Sequence, residues 1–170
     1  MKYTGSTDAP GQTKARPGTE KLIDILNSRW GFSNLGIYAN RPMRGSNLLS
    51  VHATGRAVDA GLPKNKQADQ AWVSQVFDWL VANHVALGIE EVHQYWFKDW
   101  GRAFRCSRKE LGGKPGVKVW TATDNGGTPG GKWLHIELAA GDNGGFADDP
   151  VGLTKAWKSV SATAPAPNKP

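Results

Sequence analysis

Apolar positions along this chain recur at two spacings, and the spacing changes several times. Leu22, Ile23, Ile25, Leu26 and Trp30 fall three and four apart between Thr19, which can cap a helix, and Gly31, which can end one. Trp72, Val73, Val76, Phe77 and Leu80, with Trp79 alongside, predict a second amphipathic helix from Gln67 to about His84. A third, shorter helix is expected with Asp149 as its cap and Pro150 at its first position, running to about Trp157. Elsewhere the period drops to two. Leu35 to Tyr38 reads as a short strand, and Arg56 to Asp59 is strand-like after the turn Thr54-Gly55. Leu87 to His93 alternates, with Leu87, Ile89, Glu91 and His93 on one face, and the pattern does not decide which face is inside. Val117 to Thr121 and Lys132 to Ala139 complete the strands, the last presenting Trp133, His135 and Glu137 on one face. This mixture predicts an α+β fold, a small, mainly antiparallel sheet with helices packed on it.

The same pattern divides the chain. Residues 1–17 carry no apolar period and read as a flexible or surface-draped arm in which little chemistry is expected; 18–158 form the domain; 159–170 are rich in Pro and Ala and read as a tail or linker. Within the domain, Gln94 to Lys114 interleaves Tyr95, Trp96, Phe97 and Trp100 with Arg102, Arg105, Arg108 and Lys109. Such a segment either binds glycan or peptide by stacking and ion pairing, or is a loop packed over the edge of the core.

At 170 residues the chain has the length of one domain, and a net charge of +6 points to an acidic partner or surface. The basic residues are scattered and no nucleic-acid-binding motif stands out, so no nucleic acid is expected, and an envelope rich in anionic polymer is the preferred partner. The lone Cys106 excludes an internal disulfide framework and fits synthesis in a reducing cytosol. Met1 to Ser6 lacks the apolar core of a signal peptide, and no stretch has the length of a membrane span. No membrane insertion is therefore expected. The chain reads as one made in a host cytoplasm and delivered to its site of action by something else.

The chemistry concentrates in Ser50 to Asp59. His52 and Asp59 flank a turn that can aim an imidazole and a carboxylate at one point, which is half of a metal site. A hydrolytic zinc centre takes three protein ligands and leaves a position open, and His135 on its predicted strand is the best third donor. Singly, each of these residues is more often a hydrogen-bonded His or a turn Asp. Arg41 and Arg44 flank Pro42 in a loop expected at the rim of the site, where a guanidinium suits a carboxylate or an oxyanion, or makes a surface ion pair.

Ser50-x-His52-x-x-Gly55-x-Ala57-x-Asp59, followed downstream by a hydrophobic strand bearing His135, resembles the D-Ala-D-Ala carboxypeptidase and dipeptidase family of zinc peptidases, within the group that includes lysostaphin-type peptidases and the hedgehog signalling domain. The resemblance spans roughly Gly18 to Ala140 and is closest to cell-wall lysins of bacteriophages that infect actinobacteria, in which a segment like Tyr38-x-x-Arg41-Pro42-x-Arg44-Gly45 precedes the His motif. It implies Zn2+ on His52, Asp59 and His135; Arg41, with Arg44 as fallback, on the substrate; and Ser50 in the substrate-binding frame. It further implies action on bacterial peptidoglycan at the cell wall, as an endolysin or a virion-associated hydrolase, with a virion or a further wall-binding module as partner. Relatives place a carboxylate three residues before the second His, or a His two before it; here Lys132 and Trp133 stand there. Glu137 is one substitute as general base, and Asp124, Glu91 and His93 are others. A binding or structural module without peptidase activity is the alternative, and a cysteine amidase built on Cys106 and His135 a more distant one.

Overall fold

The computed structural model describes residues 1–7, 14–43, 45–108, 116–124 and 128–167. Arg44 and Lys109, named above, lie outside these residues. The fold is α+β, a six-stranded antiparallel sheet with four helices packed on it. The strands are β1 (Ser33–Gly36), β2 (Ala57–Gly61), β3 (Ile89–Gln94), β4 (Arg102–Arg105), β5 (Val117–Val119) and β6 (Trp133–Leu138), arranged β1-β2-β6-β3-β4-β5. The helices are α1 (Pro17–Trp30), α2 (Gln70–Ala82), α3 (His84–Leu87) and α4 (Pro150–Val160).

Alternation along the strands separates the two faces of the sheet. Leu134, Ile136 and Leu138 of β6, Val58 and Ala60 of β2, and Val92 of β3 are fully buried in one cluster with Leu22, Leu26, Val76, Phe77, Leu80 and Leu153 of the helices. Trp30, Trp79 and Trp157 seal the helical layer edge to face, with ring centroids 5.1–5.7 Å apart. The opposite face of β2, β6 and β3 carries Asp59, His135, Glu137, Glu91 and His93.

Several boundaries differ from the sequence expectations for local reasons. Pro17, whose fixed φ suits a first helical position, starts α1; Thr19 lies buried inside the helix and caps nothing, while Gly31 ends it in the left-handed conformation at φ 78. Asp69 caps α2 through the Trp72 amide, after a short 3-10 turn at Lys64–Lys66. The strand expected at Leu35 to Tyr38 begins two residues earlier and stops at Gly36. In β3 the pairing with β6 steps from Ile89 opposite Leu138 to Glu91 opposite Glu137, so Glu90 is an inserted bulge residue. The bulge breaks the face shared by Ile89 and Glu91, and the simple alternation therefore could not assign an inside. Within Gln94 to Lys114 the structure has a strand, β4, and Arg102 lies between the rings of Phe77 and Phe97 at 4.0 and 4.1 Å, which is core-edge packing.

Both chain ends that are described lie against the domain. Trp79 donates its indole N–H to Thr163 at 3.1 Å and Trp30 donates its own to the Pro165 carbonyl at 3.1 Å. At the other end, Lys2, Thr4 and Gly5 bond to Asn143, Glu90 and Arg56.

The segment joining β1 to β2 folds into a 3-10 turn, Val51–Thr54, that delivers His52. Ser50 caps it by accepting the His52 amide at 3.3 Å, the Thr54 hydroxyl donates to the Val51 carbonyl at 2.7 Å, and Gly55 closes it at φ 70 by donating its amide to the His52 carbonyl. A Cβ at residue 55 would lie 2.6 Å from the Lys14 carbonyl oxygen, so the motif glycine answers both a left-handed conformation and a close approach of backbone. Gly55→Ala is expected to destabilise the fold by about 2 kcal/mol or more, read as a shifted midpoint in chemical denaturation; an unchanged midpoint would contradict this account of the turn.

Candidate metal centre

His52, Asp59 and His135 each offer a ligand atom within 4.8 Å of the other two, and this group can hold a metal ion. Their convergence follows from the register. Asp59 stands opposite His135 across the β2–β6 pair, and the 3-10 turn brings His52 in from the side. The Asp59 carboxylate lies between the rings, with Oδ1 2.9 Å from His135 Nδ1 and Oδ2 3.4 Å from His52 Nε2.

The hydrogen bonds behind the rings decide which nitrogens face the centre. His52 Nδ1 donates to the Ile37 carbonyl at 2.8 Å, so Nε2 carries a lone pair toward Asp59 when the ring is neutral. His135 Nε2 donates to Glu137 Oε1 at 2.9 Å, so Nδ1 likewise carries a lone pair toward Asp59. Two lone pairs and an anionic carboxylate thus meet at one point, an arrangement that only protons or a cation between them can satisfy. The donor set passes the chemical test for a divalent ion. Two nitrogens and an oxygen suit zinc and several other first-row ions.

Electrostatics carry the same message. Burial opposes charge on His135, yet its hydrogen bonds to Asp59 and Glu137 and the charges of both outweigh that penalty and raise it to about 10. Burial would raise the Asp59 carboxyl, but hydrogen bonds from His135 and His52 hold it well below the usual carboxylate range. In the metal-free protein a proton therefore sits where a cation would bind, and the cation must displace it.

A cavity of about 400 Å³ opens over the three residues. Arg41 lines it, as do Ser50, Tyr95 and Trp133. The Arg41 side chain is exposed, bonds only the Pro42 carbonyl at 3.2 Å, and has no carboxylate partner among the described residues. Ser50 is buried with its hydroxyl on the His52 amide, so it shapes the turn while lining the cavity.

The four candidates for a base are sorted by their partners. Asp124 is bonded to Lys118 and Thr121 outside the cavity. Glu137 is turned onto His135 with Oε1, and its Oε2 is buried without a hydrogen-bond partner among the described residues. Glu91 accepts from Arg105 Nε at 2.9 Å and Nη2 at 2.8 Å. Burial would raise the Glu91 carboxyl; His93 and Arg105 prevail and lower it to about 2. His93 stands opposite His135 across β3 and β6, its ring 5.0 Å from that of His135, with Nε2 3.2 Å from Glu91 Oε1 and Nδ1 3.2 Å from the Tyr95 hydroxyl.

One member of this site, Tyr3, escaped sequence reasoning: it belongs to the arm where no chemistry was expected, and it lines the cavity. Arg105, named only within the aromatic and arginine-rich segment, also lines it and sits on an unpredicted strand. Nothing in the spacing around Tyr3 marks it for the site.

Removing the carboxylate behind His135 should loosen that ligand. Glu137→Ala is expected to weaken divalent-ion binding by roughly 10- to 100-fold, measured by competition with a chromophoric chelator, with far-ultraviolet circular dichroism unchanged. Unaltered affinity would mean that Glu137 does not orient the ring.

No curated protein and no solved structure matches this chain. A family model described as VldE, C-terminal domain matches residues 11–105, a span that holds His52 and Asp59 and ends before His135. On that match the chain belongs to the VldE C-terminal domain family.

Proposed function

We propose that this protein is a zinc-dependent peptidase that cleaves peptide bonds in bacterial peptidoglycan, in stem peptides or cross-links, as phage wall lysins do. The observation that carries this reading is the convergence of His52 Nε2, Asp59 and His135 Nδ1 at the floor of an open cavity, each ring locked from behind by an acceptor. The spacing of the motif around His52 and Asp59, with its resemblance to zinc peptidases, supports zinc and peptide hydrolysis over other ions and reactions.

Zinc held there would lower the pKa of a bound water and draw electron density from the scissile carbonyl. The chain's own residues supply the rest. His93 is the site's proton carrier: Nε2 stands 3.2 Å from the Glu91 carboxylate, whose charge favours the ring proton there and leaves Nδ1 as the basic nitrogen, facing the Tyr95 hydroxyl. As water adds to the carbonyl carbon, Nδ1 takes its proton, directly or through that hydroxyl. The same proton passes to the leaving nitrogen as the carbon–nitrogen bond breaks, giving a carboxylate and an amine. A histidine from the neighbouring strand thereby does the work for which Lys132 and Trp133 are unsuited. Lys132 itself is engaged over the Trp96 ring, 2.9 Å from its centroid. Glu137 holds His135, and Arg41, free of any carboxylate partner among the described residues, receives a substrate carboxylate at the rim.

The overall charge of +6 favours an anionic wall as the working surface. Digestion of purified actinobacterial peptidoglycan, with products read by mass spectrometry, should yield new stem-peptide fragments. A chelator or His135→Ala should abolish them, and His93→Ala should slow their release by about 10²-fold or more. Wall binding that survives chelation, with no fragments from the zinc-loaded protein, would instead make this a binding module on a peptidase scaffold.

A further inference from the structure

The row of residues beside the metal ligands opens into a second groove. Gly61 stands opposite Trp133 in the β2–β6 pair and opposite Ser33 in the β1–β2 pair. Gly61 and Trp133 lie two residues along their strands from Asp59 and His135, so they share the face of the sheet that holds the metal centre, about 7 Å further on. A Cβ at residue 61 would lie 2.5 Å from Ser33 Oγ and 2.9 Å from Leu35 Cγ, so the glycine lets both side chains lean over its strand. Leu35, 58% exposed, and Trp133 wall a groove of about 480 Å³. Thr128 and Trp133 line this groove and the metal cavity alike, which makes the two continuous.

The groove has a definite charge. Lys132 lines it, and no Asp or Glu does. The Lys132 ammonium lies over the Trp96 ring and has no carboxylate partner among the described residues. An ammonium on the face of a ring keeps N–H donors for an anion on its other side. Arg41 lines the metal cavity and not this groove, so a chain whose terminal carboxylate meets Arg41 can lead its preceding residues past Trp133. At about 3.3 Å per extended residue, such a chain reaches the groove about two residues from the scissile bond. We propose that the groove is a specificity subsite for the acyl-side peptide of the substrate, holding an acidic residue with its carbon chain between Leu35 and Trp133 and its carboxylate on Lys132. This rests on the peptidase reading above, and it gives a task to the lysine that stands where relatives place a carboxylate.

The test sets a synthetic peptidoglycan stem peptide beside versions in which each acidic side chain in turn is converted to its amide, with the zinc-loaded, full-length protein. One of these amidations should lower kcat/KM about tenfold, as expected for the loss of a hydrogen bond between charged groups. Lys132→Met, which keeps an apolar chain on Trp96 and removes the charge, should bring the ratio of acid to amide peptide near unity, and Lys132→Arg should restore the preference. A wild-type ratio near unity for every amidation, or a preference that survives Lys132→Met, overturns the proposal. If no peptide is cleaved, 1H–15N spectra decide. Shifts of the Leu35, Gly61 and Trp133 amides on adding the acid peptide, absent with the amide peptide and in Lys132→Met, would mean that the peptidase reading fails and the subsite stands; without such shifts both fail.

Discussion

The register of β6 between β2 and β3 is the constraint on which the site depends. In that register Asp59, His135 and His93 form one row across three strands, and Ala57, Glu137 and Glu91 form the next. Directly opposed residues in antiparallel strands hold their Cβ atoms about 4.5–5.5 Å apart, close enough for carboxylate and imidazole to share a proton or an ion. A slip of one residue would turn His135 into the helical core and Ile136 into the cavity. The fully buried Leu134, Ile136 and Leu138 make that slip prohibitive, so the same alternation that builds the core also fixes the site.

The three histidines of the site follow one plan. Each has one ring nitrogen tied to an acceptor behind it and the other turned inward: His52 on the Ile37 carbonyl, His135 on Glu137, His93 on Glu91. What the inward nitrogen faces sorts the rings: two meet at Asp59, where a cation suits them, and the third faces the Tyr95 hydroxyl, the place from which the proposed mechanism has it move protons. Arg105 of β4 grips Glu91 and carries the Tyr3 ring 4.0 Å from its guanidinium carbon, so separate parts of the chain bear on the orientation of Glu91.

Much of this was legible in the sequence. Alternation in Trp133 to Leu138 gave the correct face for His135 and Glu137, and the turn-forming Thr54-Gly55 announced a bend that brings His52 toward Asp59, while the capping role of Ser50 showed only in the structure. The gaps have physical causes. A bulge at Glu90 reversed the face of β3, so the partnership of Glu91 and His93 with β6 could not be read from period two alone. β4 is rich in arginine, and Arg102 hides its charge between two phenyl rings, so its strand carried no hydrophobic signal. The neighbour of Tyr3, Thr4, is held by polar contacts to Arg56 and Glu90, 52 and 86 positions away, and local composition cannot report such contacts. Arg44, which shares the Arg-Pro segment with Arg41, falls outside the described residues.

The central claim is that His52, Asp59 and His135 hold a metal ion through Nε2, a carboxylate oxygen and Nδ1. X-ray absorption at the zinc edge on the reconstituted protein, with His52→Ala and His93→Ala beside it, tests that most directly. The account predicts one zinc per chain, bound by two imidazole nitrogens and protein oxygen, with one imidazole lost in His52→Ala and the shell unchanged in His93→Ala. Failure to retain zinc, or a shell that loses an imidazole in His93→Ala, would contradict it.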